Sequence, residues 1–328
     1  MILVTGAAGF VGSAVVRLLN TRGHRDLLVV DDLTDGDRFV NLVGTDFRDY
    51  LDRGAMESMI DRGDPRLDTV DAVIHQGACT DTTVRDGRRM LRDNYEASRR
   101  LADFCLRRRV PMVYASSAAV YGTSSACTEE PSHERPLNVY AWSKLLFDQW
   151  ARREVFPTGA FPLAGLRYFN VYGPGEAHKG PMASMAYQLD RQARTERRVR
   201  LFGAGEGAPA GGHQRDFVHV DDVAAVVCWF LDHPTVSGIY NVGTGTARSF
   251  GDLATLVLDH HGLPGSSLEY VPFPESLRGR YQSHTRADLT RLRACGCTVP
   301  FRPLEVGVPD YLARLGPPVA RTDTRHAP

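Results

Sequence analysis

The tyrosine and the lysine of "YAWSK" are spaced for proton transfer. Tyr140 and Lys144 stand four residues apart, a spacing that places both side chains on one face of a helix. A free tyrosine, with a pKa of about 10, is a poor base, but a neighbouring ammonium stabilises the phenolate and lowers that pKa. Ser117, in "SSAAVYG", follows an apolar run and is placed to hydrogen-bond a substrate oxygen. Together the three residues predict proton exchange with a hydroxyl or carbonyl group.

A second lysine raises the possibility of a second acid/base. Of the 39 lysines and arginines, Lys144 and Lys179 are the only lysines. A guanidinium stays protonated, whereas a desolvated ammonium loses its proton and then acts as a base. Lys179, in "GEAHKGP", is therefore a candidate, although for a single residue chance retention is the simpler explanation.

A glycine-rich turn predicts a dinucleotide site. Gly6, Gly9 and Gly12 in "VTGAAGFVG" stand between an apolar run and a helical stretch. Small residues let backbone amides approach a pyrophosphate, and the helix N-terminus adds partial positive charge. Asp31 ends the second apolar run, about 20 residues beyond the glycines, where a carboxylate accepts the ribose hydroxyls of NAD.

Two arginines keep the choice between NAD and NADP open. Arg38 and Arg53 could pair with the 2′-phosphate of NADP, and a surface role for either is equally plausible. With either cofactor, the positive charge of an oxidised nicotinamide further lowers the pKa of Tyr140. Hydride transfer of the dehydrogenase type is then the leading hypothesis.

Alternating elements must position these residues. Short apolar runs alternate with helical stretches, which indicates an α/β fold with a doubly wound, parallel Rossmann sheet. The predicted strands are 2–5, 27–31, 70–75, 112–116 and 163–168, and predicted helices include 10–22, 93–109 and 140–153.

A smaller substrate domain is expected after the sheet. Gly, Pro and Ala cluster at 173–181 and 203–214, which is typical of loops. We expect a dinucleotide-binding domain over 1–172, to which the chain returns around 216–243. The substrate-binding domain would comprise 173–215 and 244–315, and 316–328 lacks apolar periodicity and is expected to be disordered.

Composition favours a small soluble ligand. The formal net charge is zero, so no basic excess points to nucleic acid or to a membrane surface. Six scattered cysteines form no disulfide framework, and no residue set has the spacing of a metal site. The N-terminus lacks a charged leader, so a cytoplasmic location is expected.

These motifs resemble the extended short-chain dehydrogenase/reductase family, which acts on nucleotide sugars. Beside the glycine turn and the Ser117, Tyr140 and Lys144 set, the chain has "HQGA" (75–78), Asn94 and "RYFNVYGP" (167–174). "RDFVHVDDV" (215–223) resembles the family's phosphate-contacting segment, with Arg215 as the contact. The resemblance implies a homo-oligomeric enzyme.

Within that family the chain resembles the ADP-heptose 6-epimerases from residue 1 to about 315. The similar stretches include 35–42, 134–144, 173–184 and 273–296. The resemblance implies bound NADP and an isomerase reaction. The implied cofactor-binding residues are Gly6, Gly9, Phe10, Val11, Gly12, Asp31, Asp32, Arg38, Arg53, Gln76, Gly77, Ala78, Cys79, Asn94, Lys144 and Val171.

The resemblance also implies a role for Lys179. In those epimerases a lysine at this position is a second acid/base, so Tyr140 and Lys179 would serve opposite orientations of a 6-keto intermediate. The C6 configuration of ADP-glycero-manno-heptose would then be inverted without net redox change. The implied substrate-binding residues are Ser117, Asn170, Lys179, Pro181, Gln188, Phe202, Arg215 and Tyr281.

Three departures from the subfamily keep alternatives open. Asp32 stands where an asparagine is usual, and its charge would oppose a 2′-phosphate. Pro181 and Gln188 replace a serine and a histidine near the expected sugar contacts. These departures leave open an epimerase or ketoreductase of another nucleotide sugar. A non-catalytic dinucleotide sensor, in which the glycine-rich turn serves only ligand binding, is an alternative from a different class.

Overall fold

A parallel sheet forms the centre of the described molecule. The computed structural model describes residues 1–124, 126–279 and 281–317. Within these, the strands are β1 Ile2–Thr5, β2 Leu27–Asp31, β3 Asp49–Asp52, β4 Ala72–His75, β5 Met112–Ser117, β6 Leu163–Tyr168, β7 Asn170–Tyr172, β8 Val199–Phe202, β9 Gln214–His219, β10 Gly238–Val242, β11 Ala247–Ser249 and β12 Leu268–Val271.

The α-helices of the described residues include those that cover both faces of the sheet and those of a separate cluster. They are α1 Phe10–Thr21, α2 Arg53–Arg62, α3 Gly87–Leu91, α4 Ala97–Arg108, α5 Val139–Trp150, α6 Met185–Glu196, α7 Val220–Asp232, α8 Phe250–His261, α9 Thr290–Ala294 and α10 Leu304–Leu315. A π-helical turn over Arg92–Glu96 joins α3 to α4. None of the helices in the described residues is long and apolar enough to span a membrane.

The sheet has the order β10-β6-β5-β4-β1-β2-β3 with every pair parallel. Side chains of α1 and α7 pack on one face around Val16 and Val227, and α4 and α5 pack on the other around Leu101 and Phe147. Because both faces are covered, strands such as β2 are buried along their whole length. The predicted doubly wound α/β fold is confirmed.

A separate apolar cluster lies after the sheet strand β6. Leu189 of α6, Val257 of α8 and Val308 of α10 belong to it. Two small sheets accompany it, one in the order β11-β9-β7 and the other pairing β12 with β8. The chain returns to the central sheet at β10, which pairs with β6. Most of the tail expected to be disordered, residues 318–328, lies outside the described residues.

Two elements that the apolar pattern did not indicate complete the edge of the sheet. β3 reads "DYLD" and is largely solvent-accessible, and α2 follows it directly. An edge strand needs little apolar character because only one neighbour pairs with it. Asp52 caps α2 by accepting a hydrogen bond from the Gly54 amide.

Candidate active site

The candidate residues of the first half meet where parallel strands end. The glycine-rich turn follows β1, Gln76 to Cys79 follow β4, and Ser117 is the last residue of β5. The strand order reverses between β1 and β4, because β2 lies on one side of β1 and β4 on the other. Such a reversal opens a crevice at the carboxyl ends of the strands, where this class of fold binds ligands.

The backbone of the glycine-rich turn is too close-packed for side chains. Gly6 has φ +66°, and a Cβ there would stand 2.5 Å from the Gly77 nitrogen. At Gly12 a Cβ would stand 2.0 Å from the Gly6 carbonyl oxygen. The turn therefore presents bare backbone at the N-terminus of α1, which Phe10 and Val11 begin. A pyrophosphate fits such a turn.

Asp31 is held at the far end of the same crevice. Its carboxylate accepts a hydrogen bond of 2.7 Å from the Ala8 amide and forms a 2.9 Å ion pair with Arg38. Burial raises the pKa of Asp31, against the opposing charge of Arg38. This carboxylate is therefore fixed beside the glycine-rich turn, where the adenosine ribose of a dinucleotide would lie.

The other charged candidate residues near Asp31 are Asp32, Arg38 and Arg53, and most of their polar groups already have partners. Asp32 is exposed, and hydrogen bonds from the Thr34 hydroxyl and amide lower its pKa. Arg53 donates to Asp93 at 2.7 Å and to Glu57 at 3.2 Å. The Nε of Arg38 is buried without a hydrogen-bond partner among the described residues. Carboxylates and guanidinium groups together fit the adenosine end of a nicotinamide dinucleotide.

The segment after β4 is fixed by Asn94. The Asn94 side chain accepts from the Cys79 amide at 2.7 Å and donates to the Cys79 carbonyl at 3.0 Å. It also donates to the Ser143 hydroxyl of α5 at 3.0 Å. Asn94 therefore holds the Gln76–Gly77–Ala78–Cys79 segment against the helix that carries Tyr140. The Gln76 Oε1 accepts from Tyr168 at 2.9 Å, and its buried Nε2 has no partner among the described residues.

Helix α5 delivers the tyrosine and the first lysine. Asn138 caps it by accepting a 2.8 Å hydrogen bond from the Ala141 amide, which places Tyr140 in the first turn. Lys144 is 5% exposed and donates to the Ala115 carbonyl of β5 at 2.9 Å. Burial lowers the pKa of Lys144 to about 8.

The structure brings Tyr140 and Ser117 together. Burial raises the pKa of the half-buried tyrosine, and a hydrogen bond with the Ser117 hydroxyl opposes that rise. The sequence predicted a lowered pKa from the Lys144 ammonium, but in the protein alone burial outweighs such effects. A positive charge bound nearby, such as that of an oxidised nicotinamide, would lower the pKa of Tyr140.

Lys179 lies beside the glycine-rich turn. It belongs to a short turn over Ala177–Met182, and its Nζ stands 5.4 Å from the centre of the Phe10 ring. Burial lowers the pKa of Lys179, and the nearby carboxylate of Glu176 opposes that change. A half-buried amine with a lowered pKa can exchange a proton near neutral pH more readily than an exposed one.

Glu176 is fixed within the protein. Its side chain is fully buried and accepts hydrogen bonds from the Gly173 amide at 3.1 Å and the Ser184 hydroxyl at 2.8 Å, as well as from the Ser184 amide. The three donors favour its ionised form, whereas burial raises its pKa. Glu176 is thus a carboxyl group held in a fixed position close to Lys179.

A buried arginine marks the expected substrate side. Arg215 of β9 is 6% exposed, and its guanidinium lies 5.0 Å from the Tyr281 ring centre and 5.5 Å from that of Phe250. Burial lowers its pKa, and Tyr281 opposes the change. Among the described residues no carboxylate forms an ion pair with it, so an anionic ligand group fits here.

Aromatic rings surround this arginine. Phe202 meets Tyr281 edge-on at 6.4 Å and Phe273 at 5.5 Å. His213 stacks on Phe273 at 5.5 Å, and its buried Nε2 has no partner within the described residues. Aromatic faces of this kind can hold a planar base or a sugar.

The remaining candidates lie at the Lys179 turn or on β7. Gln188 of α6 donates its side-chain amide to the Gly180 carbonyl at 2.6 Å, so it fixes the turn next to Lys179. Pro181 is exposed in the same turn, and exposed Asn170 begins β7, where Val171 pairs with Val218 of β9.

Three neighbours of the site were not among the predicted site residues: Asn41, Glu176 and His213. Asn41 and Glu176 lie in the stretches 35–42 and 173–184 that carried the subfamily resemblance, which was the available signal. No sequence motif marks His213 as a site residue, because the ring that it stacks on, Phe273, is distant in the sequence.

Comparisons with known proteins agree on one family. The model of the "NAD dependent epimerase/dehydratase family" matches residues 2–243. The chain is 52% identical over 312 residues to the ADP-L-glycero-D-manno-heptose-6-epimerase of Alkalilimnicola ehrlichii, covering 95% of this chain and 96% of that protein.

Solved structures share the whole fold. The ADP-L-glycero-D-manno-heptose-6-epimerase of Helicobacter pylori superposes with a TM-score of 0.82 at 31% identity, covering 96% of this chain and 95% of that one. The UDP-glucose 4-epimerase of Thermus thermophilus, solved with NAD, gives 0.76 at 26% identity, covering 95% and 97%. The predicted resemblance to nucleotide-sugar epimerases is therefore confirmed. The chain belongs to the NAD dependent epimerase/dehydratase family.

Proposed function

We propose that the protein is an NADP-dependent epimerase that inverts C6 of ADP-glycero-manno-heptose through a 6-keto intermediate. The observation that carries this proposal is the position of Lys179. Its amine, whose pKa is lowered by burial, lies 5.4 Å from the ring of Phe10, the first residue of α1 after the glycine-rich turn. The Ser117–Tyr140 pair offers a separate proton-exchanging group. The 52% identical heptose epimerase supports the choice of substrate.

Each residue has a separate task in the proposed mechanism. A bound nicotinamide dinucleotide supplies the hydride acceptor and then the donor. In one substrate orientation Tyr140 takes the proton of the C6 hydroxyl while Ser117 hydrogen-bonds its oxygen. Lys144 is held by the Ala115 carbonyl and contributes positive charge near the tyrosine. Arg215 binds an anionic phosphate of the nucleotide.

Inversion requires the ketone to present its other face. After C6 loses a hydride and its hydroxyl loses a proton, the planar ketone turns within the site. Lys179 then donates a proton to the oxygen as C6 is reduced by the same hydride on its opposite face. The substrate thus loses and regains one hydride and one proton. Tyr140, left protonated, and Lys179, left deprotonated, return to their starting states by proton exchange with solvent.

We propose NADP and not NAD as the cofactor because two arginines are available for its 2′-phosphate. Arg38 and Arg53 lie at the adenosine end, where a 2′-phosphate would contact them. Asp32 opposes this preference, because its lowered pKa keeps it ionised. Affinities of the cofactor-free protein for the two dinucleotides test the proposal, and tighter binding of NAD would contradict it.

We further propose that the protein is cytoplasmic and forms a homo-oligomer. Each chain would have a dinucleotide-binding domain, residues 1–172 with 216–243, and a substrate-binding domain, residues 173–215 with 244–315. The pairing of β10 with β6 and the separate cluster of α6, α8 and α10 support these boundaries.

A conversion assay tests the function. The purified, cofactor-loaded protein is incubated with ADP-D-glycero-D-manno-heptose without added cofactor, and C6 configuration is followed by NMR. A mixture of both epimers with unchanged cofactor redox state is expected. Lys179→Met should reduce conversion by at least about a hundredfold, the usual contribution of general acid/base catalysis, and retain the cofactor. Full activity of this variant would refute the two-base assignment.

Another nucleotide sugar is the second candidate, because Gln188 is engaged with the Gly180 carbonyl and Pro181 is exposed beside it. Conversion of a different sugar, but not of the heptose, would favour this candidate. Consumption of added reduced cofactor would indicate a ketoreductase. A folded, cofactor-loaded protein that converts no nucleotide sugar would favour a sensor.

A further inference from the structure

The side chain of Asn41 joins two segments that are distant in sequence. It is 7% exposed, and its Nδ2 donates to the Ala8 carbonyl at 2.9 Å and to the Gly175 carbonyl at 3.1 Å. It also lies 3.2 Å from the His178 Nδ1. Ala8 belongs to the glycine-rich turn, whereas Gly175 and His178 lead into Lys179. The side-chain amide of Asn41 thus connects the glycine-rich turn to the segment that carries Lys179.

Asn41 is itself fixed by helix α1, which packs on the central sheet. Its backbone carbonyl accepts a 3.2 Å hydrogen bond from Arg17 of α1. The His178 ring is suited to accept from the amide, since burial and then the charges of Arg38 and Lys179 lower its pKa and favour the neutral ring. The two amide protons of Asn41 therefore face three acceptors, which are the Ala8 and Gly175 carbonyls and the His178 Nδ1. Removing this buried donor would leave acceptors without a partner, which costs free energy.

The Lys179 segment depends on such contacts. Gly175 has φ +99° and Gly180 has φ +53°, so a residue with little conformational preference stands on each side of the lysine. The segment between them is one short turn, and no strand of the described part of the chain pairs with it. Its ends are held by Asn41 at Gly175 and by Gln188 at Gly180.

From this geometry we propose that Asn41 is a positioning residue for Lys179. Its side chain holds the segment of this second acid/base against the glycine-rich turn. The proposal rests on the proposed function for its catalytic consequence. Asn41 does not touch the reacting atoms; it acts through the segment that carries the lysine. Displacement by about 1 Å suffices to slow a proton transfer by about a hundredfold.

An activity-independent measurement tests the positioning itself. The chain has only two lysines, so amine acylation followed by mass spectrometry reports each separately. The pH dependence of acylation gives the pKa of each amine. In Asn41→Leu and Asn41→Ala, the pKa of Lys179 should rise toward its ordinary value of 10.5, while that of Lys144 stays unchanged. An unchanged pKa of Lys179 in both variants would overturn the proposal.

A matched control is Asn20→Leu. Asn20 also joins segments through its side-chain amide, donating to the carbonyls of His24 and Asp46 near the opposite end of α1. This variant removes the same kind of bonds away from Lys179, so both lysines should titrate as in the unmodified protein. A rise of the Lys179 pKa in this control as well would assign the effect to general loosening and overturn the proposal.

Single-turnover oxidation of each C6 epimer tests the catalytic consequence. Lys179→Met identifies the epimer whose oxidation needs Lys179. Asn41→Leu should slow that epimer by about a hundredfold, retain the cofactor and leave the other epimer unchanged. Equal slowing of both epimers would overturn the positioning role. If the unmodified protein oxidises neither epimer, the proposed function fails, and the acylation result still decides the role of Asn41.

Discussion

At the scale of single residues, the two lysines occupy different environments. Lys144 is almost completely buried, and its Nζ is directed to the Ala115 carbonyl. Lys179 lies over the Phe10 ring, and its nearby charge is the carboxylate of Glu176. A fixed ammonium suits electrostatic support of Tyr140, whereas an amine with an acid neighbour suits proton exchange.

Glu176 should control the pH dependence of the step that uses Lys179. Burial lowers the pKa of Lys179, and the charge of Glu176 raises it. Glu176→Gln removes that charge, so the pKa of Lys179 falls further. The limb of the pH–rate profile in which Lys179 must be deprotonated should therefore move to lower pH.

The control is Glu269→Gln, which neutralises an exposed carboxylate paired with Arg198. Its pH–rate profile should coincide with that of the unmodified protein. A limb that stays in place, or moves to higher pH, in Glu176→Gln would contradict the assigned interaction.

At the scale of elements, a buried ionic cluster anchors α5 to the sheet. Arg167 of β6 is fully buried and donates to Asp148 of α5 at 2.9 Å and to Glu134. Tyr114 and Ser116 of β5 donate to the same Asp148 at 2.9 and 3.0 Å. Asp148 lies one turn beyond Lys144, so the cluster sets the position of the helix that carries Tyr140.

Asp148→Asn should destabilise the protein strongly. The substitution leaves a buried guanidinium with one fewer carboxylate, and breaking such a pair costs about 3–5 kcal/mol. Urea unfolding should show this loss. In Glu269→Gln, which breaks solvent-accessible ion pairs with Arg198 and Arg200, the free energy of unfolding should change by less than about 1 kcal/mol. Equal effects in the two variants would contradict the anchoring role.

Particular elements show how far the sequence predicts the structure. β1, β2 and β6 were predicted with the observed bounds, because short, mainly apolar runs are typical of strands buried on both faces. The polar edge strand β3 was missed because its sequence resembles a loop. For the site, spacing predicted the Tyr140–Lys144 helix, whereas the Asn41 contacts depend on segments that only folding brings together.

At the scale of the whole molecule, the candidate groups divide between two regions. The dinucleotide residues lie at the carboxyl ends of the seven-stranded sheet, while Arg215 lies on β9 of the small sheet with β7 and β11. β7 follows β6 after one residue, which connects the two regions directly. A nucleotide sugar can therefore place its reacting carbon at one region and its phosphate at the other.

Arg215→Met should weaken substrate binding more than cofactor binding. A lost hydrogen bond between charged groups costs about 1.5–3 kcal/mol, which corresponds to about ten- to a hundredfold in affinity. Steady-state kinetics should show a KM raised by that factor, and the purified variant should retain its cofactor. A normal KM, or selective loss of the cofactor, would contradict this division of roles.

The central claim is that C6 is inverted by removal and return of one hydride within a single site. It is tested most directly with ADP-D-glycero-D-manno-heptose carrying deuterium at C6, converted in ordinary water without added cofactor. The account predicts that the L-glycero product keeps the deuterium at C6, as read by NMR and mass spectrometry. Replacement of that deuterium by solvent hydrogen would show that C6 exchanges a proton, and would contradict the account.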